Sequence, residues 1–348
     1  MELKNNTIFF FAILLGLSQI DRSAWGSEGV SFEHPVAAIG SAGFESSGVK
    51  NAALATVAIT KLSPGENVPS NRPPAPMDIK GTGFHIGDGY IKTALHVVSE
   101  SGEHDVPPPA IVILTRRGHV LSANAAGFNG AADLAVYRVS ENNVGLLPGI
   151  AKFSAEEAQP GEPAFTVGFP GGWLSTTFGH ISSTDFFLPT AAVTLFQINI
   201  SVCGGNSGGG LFNSKGEVVG MIQSMISTES GQGFLCSSAL SFAVPAALLK
   251  KAVLAIRDGG LTRFSRIGLE MESAMVGNQW RVAAAKVFEP AFSAGVRSGD
   301  IILSIDGIEI EDASQLRSYL LTKTSPGHFV TLRVLRDGQI ISFNFQLD

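Results

Sequence analysis

Residues 203–211 read CGGNSGGGL. A serine stands among glycines that leave the backbone bare on both sides. Attack on a carbonyl carbon needs an exposed hydroxyl and backbone N–H groups aimed at the developing oxyanion. Glycine permits that close approach and the unusual dihedrals it requires. Ser207 is therefore a candidate nucleophile, with the amides of Gly205 and Ser207 as candidate oxyanion donors. The other reading of the nine residues is a glycine-rich hairpin turn carrying an incidental serine. The rest of the chain has to decide between the two.

The 348 residues are 45% hydrophobic and 16% charged, which suits two or three domains with full cores. Forty glycines point to many turns and short strands. A net charge of −6 without a long basic run argues against nucleic acid as a partner. The histidines are scattered, the cysteines number two, and no metal-like cluster is spaced along the chain, so neither metal nor other cofactor is expected.

Lys4 precedes an apolar run from Thr7 to Leu17, and Ala24-Trp25-Gly26 offers small residues where a signal peptidase reads. Residues 1–26 thus read as a signal peptide, and the chain as periplasmic or secreted. The run is short for a membrane span. Contact with a membrane is expected only if it stays uncleaved. Export would permit a disulfide; two buried free thiols are the alternative.

Residues 27–50 lack a steady period and read as an arm or linker. A domain of short strands follows over residues 51–259. Leu54–Leu62 alternates as a strand, and a proline-rich loop comes next. Thr82–Ile86 and Tyr90–Thr93 form a hairpin across Gly87-Asp88-Gly89. Strands are further expected at Ala110–Thr115, Val120–Ala125, Leu134–Val139, Pro163–Gly168, Ser175–Ser182, Leu195–Ile200, Glu217–Ser224 and Ser241–Val244. This is the pattern of a β-barrel or sandwich. A helix runs from Pro245 to Gly259, with Leu248, Leu249, Ala252, Val253 and Ile256 as its apolar stripe. Residues 260–348 suit a small independent α+β unit.

A serine nucleophile needs a base, and the base needs an orienting carboxylate. His96 lies where a strand breaks into a helical turn, in TALHVV. Asp133 precedes an apolar strand, in AADLAVYRV. The order histidine, aspartate, serine is that of chymotrypsin-type proteases.

Three segments resemble HtrA (Deg) serine proteases: TGFHIGDGYIKTALHVV, ADLAVYRV and GGNSGGGLFNSKGEVVGM. SFAVP and AGVRSGDIILSIDG resemble the later parts of that family. The resemblance implies a mainly β, two-barrel trypsin-like domain followed by a PDZ domain. It implies His96 as general base, Asp133 as its orienter and Ser207 as nucleophile, in an endopeptidase acting on unfolded or mislocalised proteins. It also implies a homotrimer built through the N-terminal region, with Phe32 and Phe44 as candidate contacts. By position, Ser201 falls near the floor of the specificity pocket, where the lack of an acid favours small or medium apolar side chains. Ile267-Gly268-Leu269 would hold the carboxylate of a C-terminal peptide added as a strand to the PDZ domain. Trypsin-like proteases often bridge places equivalent to Cys203 and Cys236, so a disulfide is expected there. Asn206 replaces the aspartate that pairs with a new N-terminus in zymogens, which argues against activation by N-terminal cleavage. Gly210 stands where the family usually has proline. Two other readings are a peptide-binding chaperone or sensor whose proteolysis is secondary, and a narrowly specific regulatory protease acting on one envelope partner.

Overall fold

The computed structural model describes residues 43–62, 76–99, 107–130, 132–186, 193–225, 236–237, 240–257 and 265–348. The signal segment, Phe32 and residues 63–75 of the proline-rich loop lie outside the described residues.

Helix α1 (Ser46–Ala55) occupies the stretch expected to be the end of an arm and the start of a strand. Its buried stripe is Gly48, Val49, Ala52 and Ala53. These are small side chains, and Gly48 lies so close to Lys215 that an added Cβ would stand 2.2 Å from its carbonyl oxygen. Alanine favours helix, and the β-branched run begins only at Thr56. There the amide and hydroxyl of Thr56 both bond Ala52 O, closing the helix. Phe44, just before α1, meets Phe178 and Phe165 edge-on at 5.0 and 5.8 Å between ring centres. The ring expected at a subunit contact is packed within its own chain.

The first barrel comprises β1 (Thr56–Thr60), β2 (Ile79–His85), β3 (Tyr90–Ala94), β4 (Ala110–Thr115), β5 (Val120–Asn129) and β6 (Leu134–Val139). It closes in the order β1-β2-β3-β6-β5-β4. The β2–β3 turn follows its glycines: Tyr90 N donates to Gly87 O at 2.9 Å, and Gly87, Asp88 and Gly89 all have positive φ. Short helix α2 (Leu95–Val98) follows β3 directly.

The second barrel comprises β7 (Pro163–Gly168), β8 (Ser175–Phe186), β9 (Leu195–Ile198), β11 (Gly210–Asn213), β12 (Val218–Met225) and β14 (Ser241–Pro245). It closes in the order β11-β12-β14-β9-β8-β7. Strands β10 (Val202–Cys203) and β13 (Cys236–Ser237) pair separately. Phe212 stacks on Phe165 at 5.3 Å and meets Phe84 of the first barrel edge-on at 6.4 Å. One apolar core thus runs through both barrels and fixes the cleft between them. Helix α3 (Ala246–Arg257) buries the expected stripe and returns to the first barrel, where Ile256 covers Gly127.

The last unit is a sheet ordered β15 (Leu269–Val276), β16 (Gln279–Val287), β17 (Ile301–Ile305), β19 (Phe329–Arg336) and β20 (Gln339–Gln346), with β18 (Ile308–Glu309) paired to β17. Helices α4 (Ala291–Ala294) and α5 (Ala313–Lys323) accompany it, over a separate apolar core. Asp312 caps α5 by accepting from Ser314 N and Gln315 N. Buried Asp300 receives Arg336 on both oxygens, at 2.6 and 2.7 Å. Lysine hydrogen bonds and buried Leu321 tie α5 to the barrels. Lys251 Nζ donates to Leu321 O at 3.1 Å and to Thr324 O, and Lys323 pairs with Glu157 at 2.7 Å.

Candidate active site

Pairing of β3 with β6 ends at Ala94 opposite Leu134, which sets the start of α2 beside the residue before β6. Leu95 N donates to Asp133 O at 2.9 Å. Asp133, with φ +48°, then turns its carboxylate onto the next residue. Oδ1 accepts from His96 N at 2.9 Å, and Oδ2 lies 2.6 Å from His96 Nδ1. Because Asp133 is acceptor-only when ionised, Nδ1 carries the proton and Nε2 is left as the basic nitrogen. The imidazole is half exposed while the carboxylate is mostly covered. His85 offers no rival base: it is buried, Gly89 N donates to its Nε2, and its Nδ1 reaches Gly149 O at 2.6 Å. Burial lowers its pKa, so it stays neutral.

Ser207 comes from the second barrel, in the turn between β10 and β11. Thr82 N donates to Ser207 O at 2.9 Å. A Cβ on Gly208 would stand 2.2 Å from Thr82 O and 2.7 Å from Ala94 N, so only glycine lets the serine loop lie against the strand end that leads to His96. The Ser207 hydroxyl rests on Gln223 O at 3.3 Å. Taking up a bond to His96 requires it to rotate away from that carbonyl.

The oxyanion donors follow from one peptide plane. Asn206 N donates to Cys203 O at 3.0 Å and Gly205 has φ +102°, the pattern of a type II turn. Gly171 N donates to Gly204 O at 3.1 Å. In a trans peptide the C=O and N–H point oppositely, so the Gly205 N–H faces away from Gly171. Among the described residues, neither the Gly205 nor the Ser207 amide has an acceptor. Thr82, which sequence reasoning passed over, sits at the centre of this arrangement. Its hydroxyl donates to Gly205 O at 2.6 Å and accepts from Phe169 N at 3.0 Å. A lone hydroxyl side chain between two glycines in KGTGFH was the available signal.

The trypsin-like peptidase domain family matches residues 81–221, and the PDZ domain family matches residues 265–347. A probable periplasmic serine endoprotease DegP-like of Hahella chejuensis is 34% identical over 280 residues, 77% of this chain and 56% of that protein. One of the same name from Halomonas elongata is 32% identical over 272 residues, 74% and 54% of the two chains. The chain belongs to the HtrA, or DegP-like, family. It spans about half the length of these relatives. The solved HtrA-type protease AlgW with tripeptide is 25% identical with a TM-score of 0.66, covering 86% of this chain and 95% of that one. The serine endoprotease from Yersinia pestis is 26% identical with a TM-score of 0.58, over 86% and 96%.

The remaining expected residues of this HtrA-family chain fall as follows. Cys203 is disulfide-bonded and stands directly opposite Cys236, the chain's other cysteine, in the β10–β13 pair. Ser201 is half-buried between β9 and β10. In the PDZ unit, Gly268 O accepts from Phe288 N at 2.8 Å and Ile267 O from Ala291 N at 3.3 Å. Peptide planarity turns the amides of Gly268 and Leu269 the other way. Strand β15, which starts at Leu269, is an edge of its sheet. Gly210 lies under the Phe212 ring, whose tip would stand 2.4 Å from an added Cβ. This accounts for a bare residue where the family usually has proline. Among the described residues, no three His, Cys, Asp or Glu side chains converge as a metal would require.

Proposed function

We propose that the chain is an exported serine endopeptidase acting through an acyl-enzyme. The observation that carries the reading is the double grip of Asp133 on His96, in a cleft where the Ser207 loop abuts Ala94. Neutral His96 takes the Ser207 proton on Nε2 as Oγ attacks the carbonyl carbon. Asp133 stabilises the imidazolium that forms. The Gly205 and Ser207 amides receive the oxyanion. His96 returns the proton to the leaving amine, and water then repeats the sequence on the acyl-enzyme.

Unfolded or mislocalised proteins are the proposed substrates, with small or medium apolar side chains accepted near Ser201. A C-terminal peptide would add to β15, its carboxylate at the outward amides of Gly268 and Leu269 beside Ile267, and regulate the protease. A Cys203–Cys236 bond would staple the nucleophile loop, and intact mass with and without reductant tests it. The family resemblance carries the homotrimer, which analytical ultracentrifugation tests. Periplasmic location rests on the names of the relatives and on the N-terminal signal.

The deciding experiment is casein cleavage by wild type and Ser207→Ala, each with and without C-terminal peptides. Turnover that Ser207→Ala abolishes supports the reading. Equal turnover removes Ser207 as nucleophile. Absent wild-type turnover with peptide binding retained favours a peptide-binding protein.

A further inference from the structure

We infer that Thr82 is a positioning residue for the oxyanion hole, holding the nucleophile loop of the second barrel from a strand of the first. The inference rests on the proposed protease reading and extends it to a side chain that touches neither substrate nor His96.

Thr82 is fully buried on β2, and its backbone and its hydroxyl are both engaged. Its amide donates to Ser207 O at 2.9 Å, and its carbonyl accepts from Thr93 Oγ1 at 2.7 Å. Its hydroxyl accepts from Phe169 N and donates to Gly205 O. The proton on Oγ1 is located by elimination. Phe169 N–H can only donate and Gly205 O can only accept, so the hydroxyl hydrogen must point at Gly205 O.

These bonds fall on alternate peptides of the loop. Gly205 O belongs to the peptide before Asn206, and Ser207 O to the peptide after Ser207. Fixing both planes restrains the peptide between them, which carries the Ser207 N–H. The other oxyanion donor, Gly205 N–H, is aimed by the bond from Gly171 N to Gly204 O. Gly171 lies two residues beyond Phe169, so the same hydroxyl anchors the start of the segment that aims it. Thr82 therefore acts on both donors, directly on one side and through Phe169 on the other. The bare neighbour Gly81 lets β2 approach this closely: a Cβ there would stand 2.6 Å from the Val97 side chain and 3.1 Å from Ser207 O.

The test compares Thr82→Val, which keeps the shape and deletes the hydroxyl, with Thr82→Ser, which keeps the hydroxyl. Both are made in the full chain and assayed on casein, with rates taken per folded molecule from circular dichroism. Thr82→Val is expected to lower kcat about 10- to 100-fold, the range for residues that orient a reacting group, with KM changed by less than about threefold. The acid limb of its pH–rate profile should match wild type, since His96 is untouched. Thr82→Ser should recover most of kcat. A Thr82→Val kcat equal to wild type overturns the inference, as does equal loss in both variants, since Thr82→Ser keeps the hydroxyl to which the inference assigns the effect. Ser207→Ala separates the two readings. If it retains turnover, the protease assignment fails; if it is dead while Thr82→Val is unimpaired, only the positioning role fails. Should Thr82→Val not fold, amide hydrogen exchange on the unaltered chain decides. The Thr82 and Phe169 amides are expected to share one opening free energy, and fast exchange at Phe169 alone overturns the inference.

Discussion

Asp133 holds His96 at two points, its Oδ2 on the ring and its Oδ1 on the backbone amide of the same residue. The amide bond fixes where the residue sits and the ring bond fixes which nitrogen is protonated. The two functions can be separated by changing the carboxylate to a carboxamide.

Asp133→Asn keeps a carbonyl oxygen able to accept from His96 N. Its NH2 group, facing Nδ1, would stabilise the tautomer with the proton on Nε2, which cannot accept from Ser207. The expected result is a fall in kcat of roughly 10⁴-fold, as for the equivalent change in trypsin, with the folded structure retained. Steady-state cleavage together with circular dichroism checks it. An active Asp133→Asn would place the orienting role elsewhere.

Gly210→Ala should destabilise the second barrel by about 1–3 kcal/mol, because the new Cβ meets a Phe212 ring already wedged between Phe84 and Phe165. Gly204→Ala, where nothing lies within 4 Å of the added carbon, should change stability by less than about 0.5 kcal/mol. Urea unfolding of the two variants tests the contrast. Equal stabilities would mean that the Phe212 ring shifts freely.

What could be read in advance was what local chemistry decides. The Gly87-Asp88-Gly89 turn, the stripe of α3, and the settings of His96 and Asp133 each follow from residues a few positions apart. Helix α1 escapes the sequence reading because its buried face, Val49 apart, is made of Gly48, Ala52, Ala53 and Ala55. Such a stripe has little hydrophobic signal and makes sense only against the Lys215–Gly216 backbone. Thr82 offers only the faint signal of a hydroxyl between two glycines, as its hydroxyl partner Gly205 lies 123 positions away. Phe44 looked like a free aromatic anchor because Phe165 and Phe178, which cover it, belong to a distant barrel. The missed features share one property: their partner is remote in sequence.

Lys251 joins α3 to the carboxyl end of α5, where two carbonyls receive its amine. A cation there complements the helix dipole as well as the unpaired carbonyls. Lys251→Met keeps the apolar stem and removes the donors. Amide exchange in α5 is expected to rise about tenfold, consistent with loss of a charge-assisted bond, while β19 and β20 keep their protection. Unchanged exchange in α5 would show that Lys323–Glu157 and the buried Leu321 suffice to dock the PDZ unit.

Lys92 carries the strongest stability prediction. It lies on β3 with its whole side chain buried, its Nζ 4.9 Å from the centre of the Phe153 ring and 5.9 Å from that of Phe84, without a hydrogen-bond partner among the described residues. Ring faces attract a cation, but two of them do not replace the water an ammonium loses. Burial therefore pushes the amine well below the ordinary lysine range. The sign of the pH effect follows. Below the unfolded pKa of about 10.4 the unfolded chain binds a proton that the folded chain does not, so stability falls as pH drops from there toward the folded pKa. The slope is at most about 1.4 kcal/mol per pH unit. Lys92→Met retains most of the volume and cannot titrate. It should be more stable than wild type at pH 7, by the cost of burying an unsatisfied neutral amine, about 2 kcal/mol, plus the pH-dependent cost of shedding its proton. The advantage should shrink as pH rises to 10. Urea unfolding at pH 7 and at pH 9.5 measures both terms. A wild type whose stability rises no more than that of Lys92→Met over this interval would mean that the amine keeps its proton in the folded chain.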